Sequence, residues 1–93
     1  MRMKIKGLSF VRTCEASPEQ YDVYKDGKQV GYVRLRWGGL TCYCPDYGGD
    51  IVYEATIGDG EWTGSFTSEP ERLKHLKKMA KAIIRHQEDK END

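Results

Sequence analysis

Two thiols stand one residue apart at Cys42-Tyr43-Cys44. Residues i and i+2 of a strand point to the same side, so both sulfurs could meet one metal ion. A structural zinc site wants four ligands, usually from two such knuckles. The remaining donors are Cys14, His75 and His86, and they form no second knuckle. The pair therefore reads as two small buried residues, because free cysteine packs as a small hydrophobe. No metal and no cofactor are expected.

Catalysis finds little support either. His75 and His86 fall on one helical segment, about three turns apart and too distant to share an ion. The acids between residues 37 and 71 fall mostly in turn-rich sequence, with no spacing that pairs a general acid with a base. The glycines match turn positions and form no phosphate-binding loop. The chain is expected not to be an enzyme.

Two constellations suit binding. Tyr21, Tyr32 and Tyr43 with Arg34 and Arg36 would make a platform of aromatic rings and guanidinium groups. Single-stranded nucleic acid binds to that mixture by stacking and phosphate contact. Protein interfaces are also enriched in Tyr and Arg. Tyr favours strands for its own sake as well, and cross-strand Tyr pairs stabilise a sheet without a partner. The second constellation is acidic: Asp46, Asp50, Glu54, Asp59 and Glu61 could present an electronegative patch able to engage a basic groove meant for nucleic acid.

These residues need elements to hold them. Asp26-Gly27 between β-type runs predicts a two-residue hairpin turn, which requires positive φ at both positions. Gly38-Gly39 predicts a second one. Strands are expected over about Lys4 to Arg12, with Gly7 as a bulge, then Tyr21 to Lys25, Lys28 to Trp37, Leu40 to Cys44 and Asp50 to Ile57. Gly58-Asp59-Gly60 reads as a turn and Trp62 to Phe66 as a short edge strand. The two hairpin turns set a register in which Val23 faces Val30, Tyr21 faces Tyr32 and Leu35 faces Cys42. One face then carries Tyr24, Val33, Leu35, Trp37, Leu40, Cys42 and Cys44, a core face. The other carries Tyr21, Val23, Val30, Tyr32, Arg34, Arg36, Thr41 and Tyr43.

Ser68-Glu69-Pro70-Glu71 reads as a capping box that opens a helix. Leu73, Leu76, Met79, Ala80, Ile83 and Ile84 form an apolar stripe at helical spacing. Lys74, Lys77, Lys78, Lys81 and Arg85 lie nearly opposite. The expected fold class is α+β: an antiparallel β-meander of four to five strands packed on one C-terminal α-helix. Residues 1–88 form the domain and 89–93 a frayed acidic tail.

Composition fits one small domain. The chain has 93 residues, of which 38% are hydrophobic and 32% charged, so nearly all of its apolar side chains are needed for one core. No apolar run approaches the ~18 residues of a membrane span, and the start does not read as a signal peptide. Three cysteines are an odd, small number that suits a reducing compartment. A cytoplasmic protein is expected, in the host cell if the gene is carried by a phage.

The formal net charge is zero, but the charges are segregated. Residues 37–71 carry seven acids and no Lys or Arg, while residues 72–85 carry six Lys or Arg and no acid. Such segregation steers charged partners even without net charge.

The run Tyr21-Asp22-Val23-Tyr24-Lys25-Asp26-Gly27-Lys28-Gln29-Val30-Gly31-Tyr32-Val33-Arg34-Leu35-Arg36, followed by the capped helix, resembles small proteins of phages and mobile elements of Gram-positive bacteria. Some of those are inhibitors of host defence, including anti-CRISPR proteins, which are small, non-enzymatic and charge-segregated. The resemblance implies an inhibitor that binds a larger intracellular host protein, such as a nucleic-acid-handling defence enzyme. The rival expectation is a nucleic-acid-binding domain that uses the Tyr/Arg face and the basic helix. A third is self-association through an exposed sheet edge.

Overall fold

A computed structural model describes residues 2–14, 18–57 and 64–91. The described residues form six strands and one helix. The strands are β1 (Arg2–Ile5), β2 (Leu8–Cys14), β3 (Glu19–Lys25), β4 (Lys28–Arg36), β5 (Gly39–Cys44) and β6 (Asp50–Thr56). They make one antiparallel sheet whose spatial order equals chain order, a meander. Helix α1 (Glu69–Glu91) returns across one face of it.

The strand count exceeds the expected four to five because the first segment is a hairpin. Lys6 and Gly7 have φ of 54° and 83°, so Gly7 belongs to a tight turn and is not a bulge. Asp26-Gly27 (51° and 81°) and Trp37-Gly38 (50° and 76°) repeat that geometry. Positive φ at both central residues matches the twist of the flanking strands. Gly takes the second position each time, where a side chain would be strained.

The second of the expected turns thus centres on Trp37-Gly38, not on Gly38-Gly39. Leu35 pairs with Leu40 and Val33 with Cys42, each two residues from its expected partner. The shift moves both strands together, so Val33, Leu35, Leu40, Cys42 and Cys44 keep the core face and are buried. Trp37 does not: it is carried into the turn and is 65% exposed.

A larger correction comes from β4. The pairing runs Tyr24 with Gln29 and then Val23 with Gly31, leaving Val30 as an extra residue. This bulge changes which residues of β3 face the helix. Tyr21 pairs with Val33, Val23 with Gly31, and both Tyr21 and Val23 are fully buried. Val30 is buried too. Tyr24 takes the outer face instead of the core face. Similar irregularities leave Thr13 unpaired on β2 and Val52 unpaired on β6.

The core lies between the inner sheet face and α1. Leu8, Phe10, Tyr21, Val23, Val33, Leu35, Leu40 and Cys42 meet Leu76, Met79, Ala80 and Ile83. Leu73 and Ile84 are half-buried at its margin. The helix comes close to the sheet at Gly31, where an added Cβ would lie 2.8 Å from Ile83 Cδ1. A glycine there lets the helix sit down on the bulge.

Ser68 caps α1 as expected, its Oγ accepting from Glu71 N at 3.2 Å. Glu71 reaches back one residue further than a standard box, to Thr67 N at 2.8 Å and Thr67 Oγ1 at 2.9 Å. The helix continues to Glu91, into the segment expected to be a tail. Lys90 lies 3.8 Å from Asp50 of β6 there. The expected turn at Gly58-Asp59-Gly60 lies outside the described residues, as do Trp62 and Thr63; Gly64 to Phe66 form no strand.

Candidate interaction surfaces

The sheet face turned away from α1 has no element over it among the described residues. Tyr32 of β4 and Tyr43 of β5 are direct cross-strand partners, with ring centroids 6.1 Å apart. Tyr47, from the loop after β5, folds over both. Its ring lies 5.7 Å from Tyr32 and 5.6 Å from Tyr43. Gly48 (φ 88°) and Gly49 allow that fold, since a Cβ on Gly49 would run into the Cys44 carbonyl. Gly49 N closes the loop on Asp46 O at 2.9 Å.

Two arginines join the rings. The Arg34 guanidinium lies 5.1 Å from the Tyr47 centroid, and that of Arg36 lies 4.4 Å from Trp37. Tyr47 is 62% exposed, and Ile51, paired with Tyr43, is 53% exposed. Trp37, Arg36, Arg34, Tyr32, Tyr43, Tyr47 and Ile51 thus form one aromatic and basic surface with an apolar edge. Asp22 pairs with Tyr32, and Glu54 pairs with Thr41 on the same face. Charge around the tyrosines is therefore close to balanced.

Of the five residues expected on this face, Tyr32, Tyr43, Arg34 and Arg36 are there. Tyr21 is not: the Val30 bulge turns it into the core. Tyr47 and Trp37 replace it. Neither was placed on this face from sequence. The available signal for Tyr47 was an aromatic in a Gly-flanked loop just after the strand that carries Tyr43.

Among the described residues, Asp46, Asp50 and Glu54 lie apart from one another. Asp46 lies in the loop beside Tyr47, and Glu54 lies on the outer face of β6. Asp50 pairs with Cys44 at the helix side, and its Oδ2 lies 2.9 Å from His86 Nε2. The His86 hydrogen bond, then the Lys90 charge, hold its carboxyl below the usual range. Asp59 and Glu61 lie outside the described residues.

Cys42 and Cys44 pack in the core. Cys42 and Cys44 are buried, and Cys14 is half-buried. A hydrogen bond to Cys44, together with burial, pushes the Cys42 thiol up. No group of three His, Cys, Asp or Glu able to hold a metal occurs among the described residues. No described helix is long and apolar enough to cross a membrane.

A further cluster escaped the sequence reading. Glu19 opens β3 on the side of Tyr21 and Val23, and it is fully buried. Arg72 of α1 donates to it twice, Nε at 2.7 Å and Nη2 at 3.1 Å. Arg12 Nη2 lies 3.7 Å away, and the Tyr21 hydroxyl donates to the same carboxylate. Glu19 N also donates to Gly64 O at 2.7 Å. Burial alone would raise the Glu19 pKa. Hydrogen bonds from Arg72 and Tyr21, then the charges of Arg72 and Arg12, outweigh it and hold the carboxyl below the usual range. The signal was present in sequence: a carboxylate at the apolar parity of a strand, in a chain with arginines to meet it. Glu19 and Tyr21 are buried while Arg12 and Arg72 are half-buried at the rim, and the cluster reads as a structural tie between β2, β3 and α1.

His75 makes a smaller tie. Its Nδ1 is 2.8 Å from the Tyr53 hydroxyl, and its ring stacks on Phe66 at 5.8 Å. Burial lowers its pKa.

No family model, no curated protein and no solved structure matches the chain.

Proposed function

We propose that the chain is a non-catalytic binding protein that engages a larger protein through its uncovered sheet face. The observation that carries the proposal is the Tyr32, Tyr43 and Tyr47 cluster with Arg34 stacked on it. Tyr, Trp and Arg are the residues that dominate binding energy at protein interfaces. The rings are anchored to one another and to the sheet, so little side-chain freedom is lost on binding. The near balance of Arg34 and Arg36 with Asp22 and Glu54 suits a protein surface better than a phosphate backbone. The resemblance to small phage proteins extends the proposal: the partner is a host nucleic-acid-handling enzyme, and binding inhibits it.

Affinity capture from host lysate with three forms of the protein tests this. The unaltered chain should recover a partner. A Tyr43→Ser/Tyr47→Ser/Arg34→Ala variant should bind it at least about 30-fold more weakly, as loss of a hot spot does. A Lys77→Gln variant on the helix should still recover it. If the sheet-face variant loses no partner, the proposal fails. Binding of single-stranded oligonucleotides that is lost in the same variant would transfer the face to nucleic acid.

A further inference from the structure

We infer that the basic stripe of α1 is a second contact surface, which takes the sugar-phosphate backbone of a nucleic-acid duplex. Lys74, Lys77, Lys78, Lys81 and Arg85 are all exposed. At ~1.5 Å per residue they extend over about 16 Å of helix. That is roughly one cation per 4 Å, close to the ~3.4 Å of axis per phosphate in one strand of a duplex.

The stripe is unpaired among the described residues. The cations held in ion pairs are Arg12, Arg72 and Lys90, and His86 is hydrogen-bonded to Asp50. Glu69 contacts Arg72, and Glu71 is taken up by Thr67. Asp50, the acid of β6 nearest the helix end, turns to His86 and Lys90. The acidic middle segment thus leaves the stripe free wherever it is described.

The stripe also has a groove beside it. Lys78, Lys81, Arg85 and His86 line an open cleft of about 420 Å³ against Val52 of β6, with Ala82 in its wall and Asp89 at one end. The cleft carries no Phe, Tyr or Trp ring. Protein interfaces draw their energy from such anchors, and single strands need them for stacking. Backbone contact to a duplex needs only cations held in a row. This surface lies on the opposite side of the sheet from the tyrosine cluster, so a protein and a duplex could be held together.

Fluorescence anisotropy of the full chain with labelled duplex and single-stranded DNA tests the inference. Duplex should bind at low salt and weaken about 500-fold between about 50 and 200 mM, as five phosphate contacts require. Lys78→Gln/Lys81→Gln/Arg85→Gln should flatten the salt slope from about −4.5 to about −1.8. Thermal unfolding of that variant should match the unaltered chain, since all three positions are exposed. Tyr43→Ser/Tyr47→Ser should leave duplex binding unchanged. Absence of duplex binding at about 50 mM salt overturns the inference. So does tighter binding to single strand than to duplex, or binding that survives the helix variant and is lost in the sheet-face variant. Binding to polyglutamate in preference to duplex would also overturn it and assign the stripe to an acidic protein surface.

Discussion

Glu19 shows what one residue can demand of a small core. A buried carboxylate is costly unless it is paired and hydrogen-bonded. Here Arg72, Arg12, Tyr21 and the Phe66 amide (3.5 Å) surround it, and no buried side-chain polar atom is left unpartnered among the described residues. Breaking such a pair from one side strands a buried charge, so Glu19→Gln should lower stability by about 3–5 kcal/mol in urea unfolding. The pH dependence follows from the direction of the shift. The folded Glu19 pKa is depressed, so its contribution is full above the ordinary glutamate value and is lost as pH falls below it. His75 acts in the same sense from a higher pH, because its folded pKa is also lowered. Acid titration of the unfolding midpoint should therefore show a decline below about pH 6.5 and a steeper one below about 4.5. Glu19→Gln should shrink the second decline, which Asp50 and Glu71 share because their carboxyls are also held low, and leave the first.

At the scale of elements, the bulge on β4 decides the faces of the sheet. It places Gly31 under α1, against Ile83, and leaves Val30 buried beside it. Gly31→Ala places a methyl group 2.8 Å from Ile83 Cδ1 in a packed core. The expected cost is about 1–3 kcal/mol. Ile83→Val alone should cost about 0.5–1.5 kcal/mol by removing that methyl. Combined, the two should cost less than their sum, because the second change makes room for the first. A double-mutant cycle measures the coupling; strict additivity would show that α1 does not seat on Gly31.

For the whole molecule, the sheet has one face that needs covering and one that does not. The helix supplies the cover with Leu76, Met79, Ala80 and Ile83, all fully buried. Chain ending at Gly64 would leave Phe10, Tyr21, Val33, Leu35 and Leu40 against water. It should lose cooperative unfolding and amide dispersion in an NMR spectrum; a well-dispersed spectrum would show that the sheet folds alone. The same division separates the two candidate surfaces. The tyrosine cluster occupies the face the helix does not cover, and the lysine stripe occupies the side of the helix the sheet does not cover.

Local chemistry was readable in the sequence wherever it is set by neighbours along the chain. The Asp26-Gly27 turn, the Ser68 cap, the apolar and basic stripes of α1, and the core placement of Val33, Leu35, Leu40, Cys42 and Cys44 all follow from short-range pattern. Alternation survives a register slip shared by two strands, which is why the β5 faces stood although the turn was placed one residue late. Tertiary structure alone decided the rest. The Val30 bulge exchanges Tyr21 with Tyr24 between the faces, and no local rule marks it: it matches the seat of a helix more than fifty residues away. Glu19 and Arg72, equally far apart, find each other only once α1 has crossed the sheet. Tyr47 joins Tyr32 and Tyr43 only when the loop folds back over β5. The thiol pair with which the chemistry began is core, as its spacing and company implied, and the surfaces able to bind lie to either side of it.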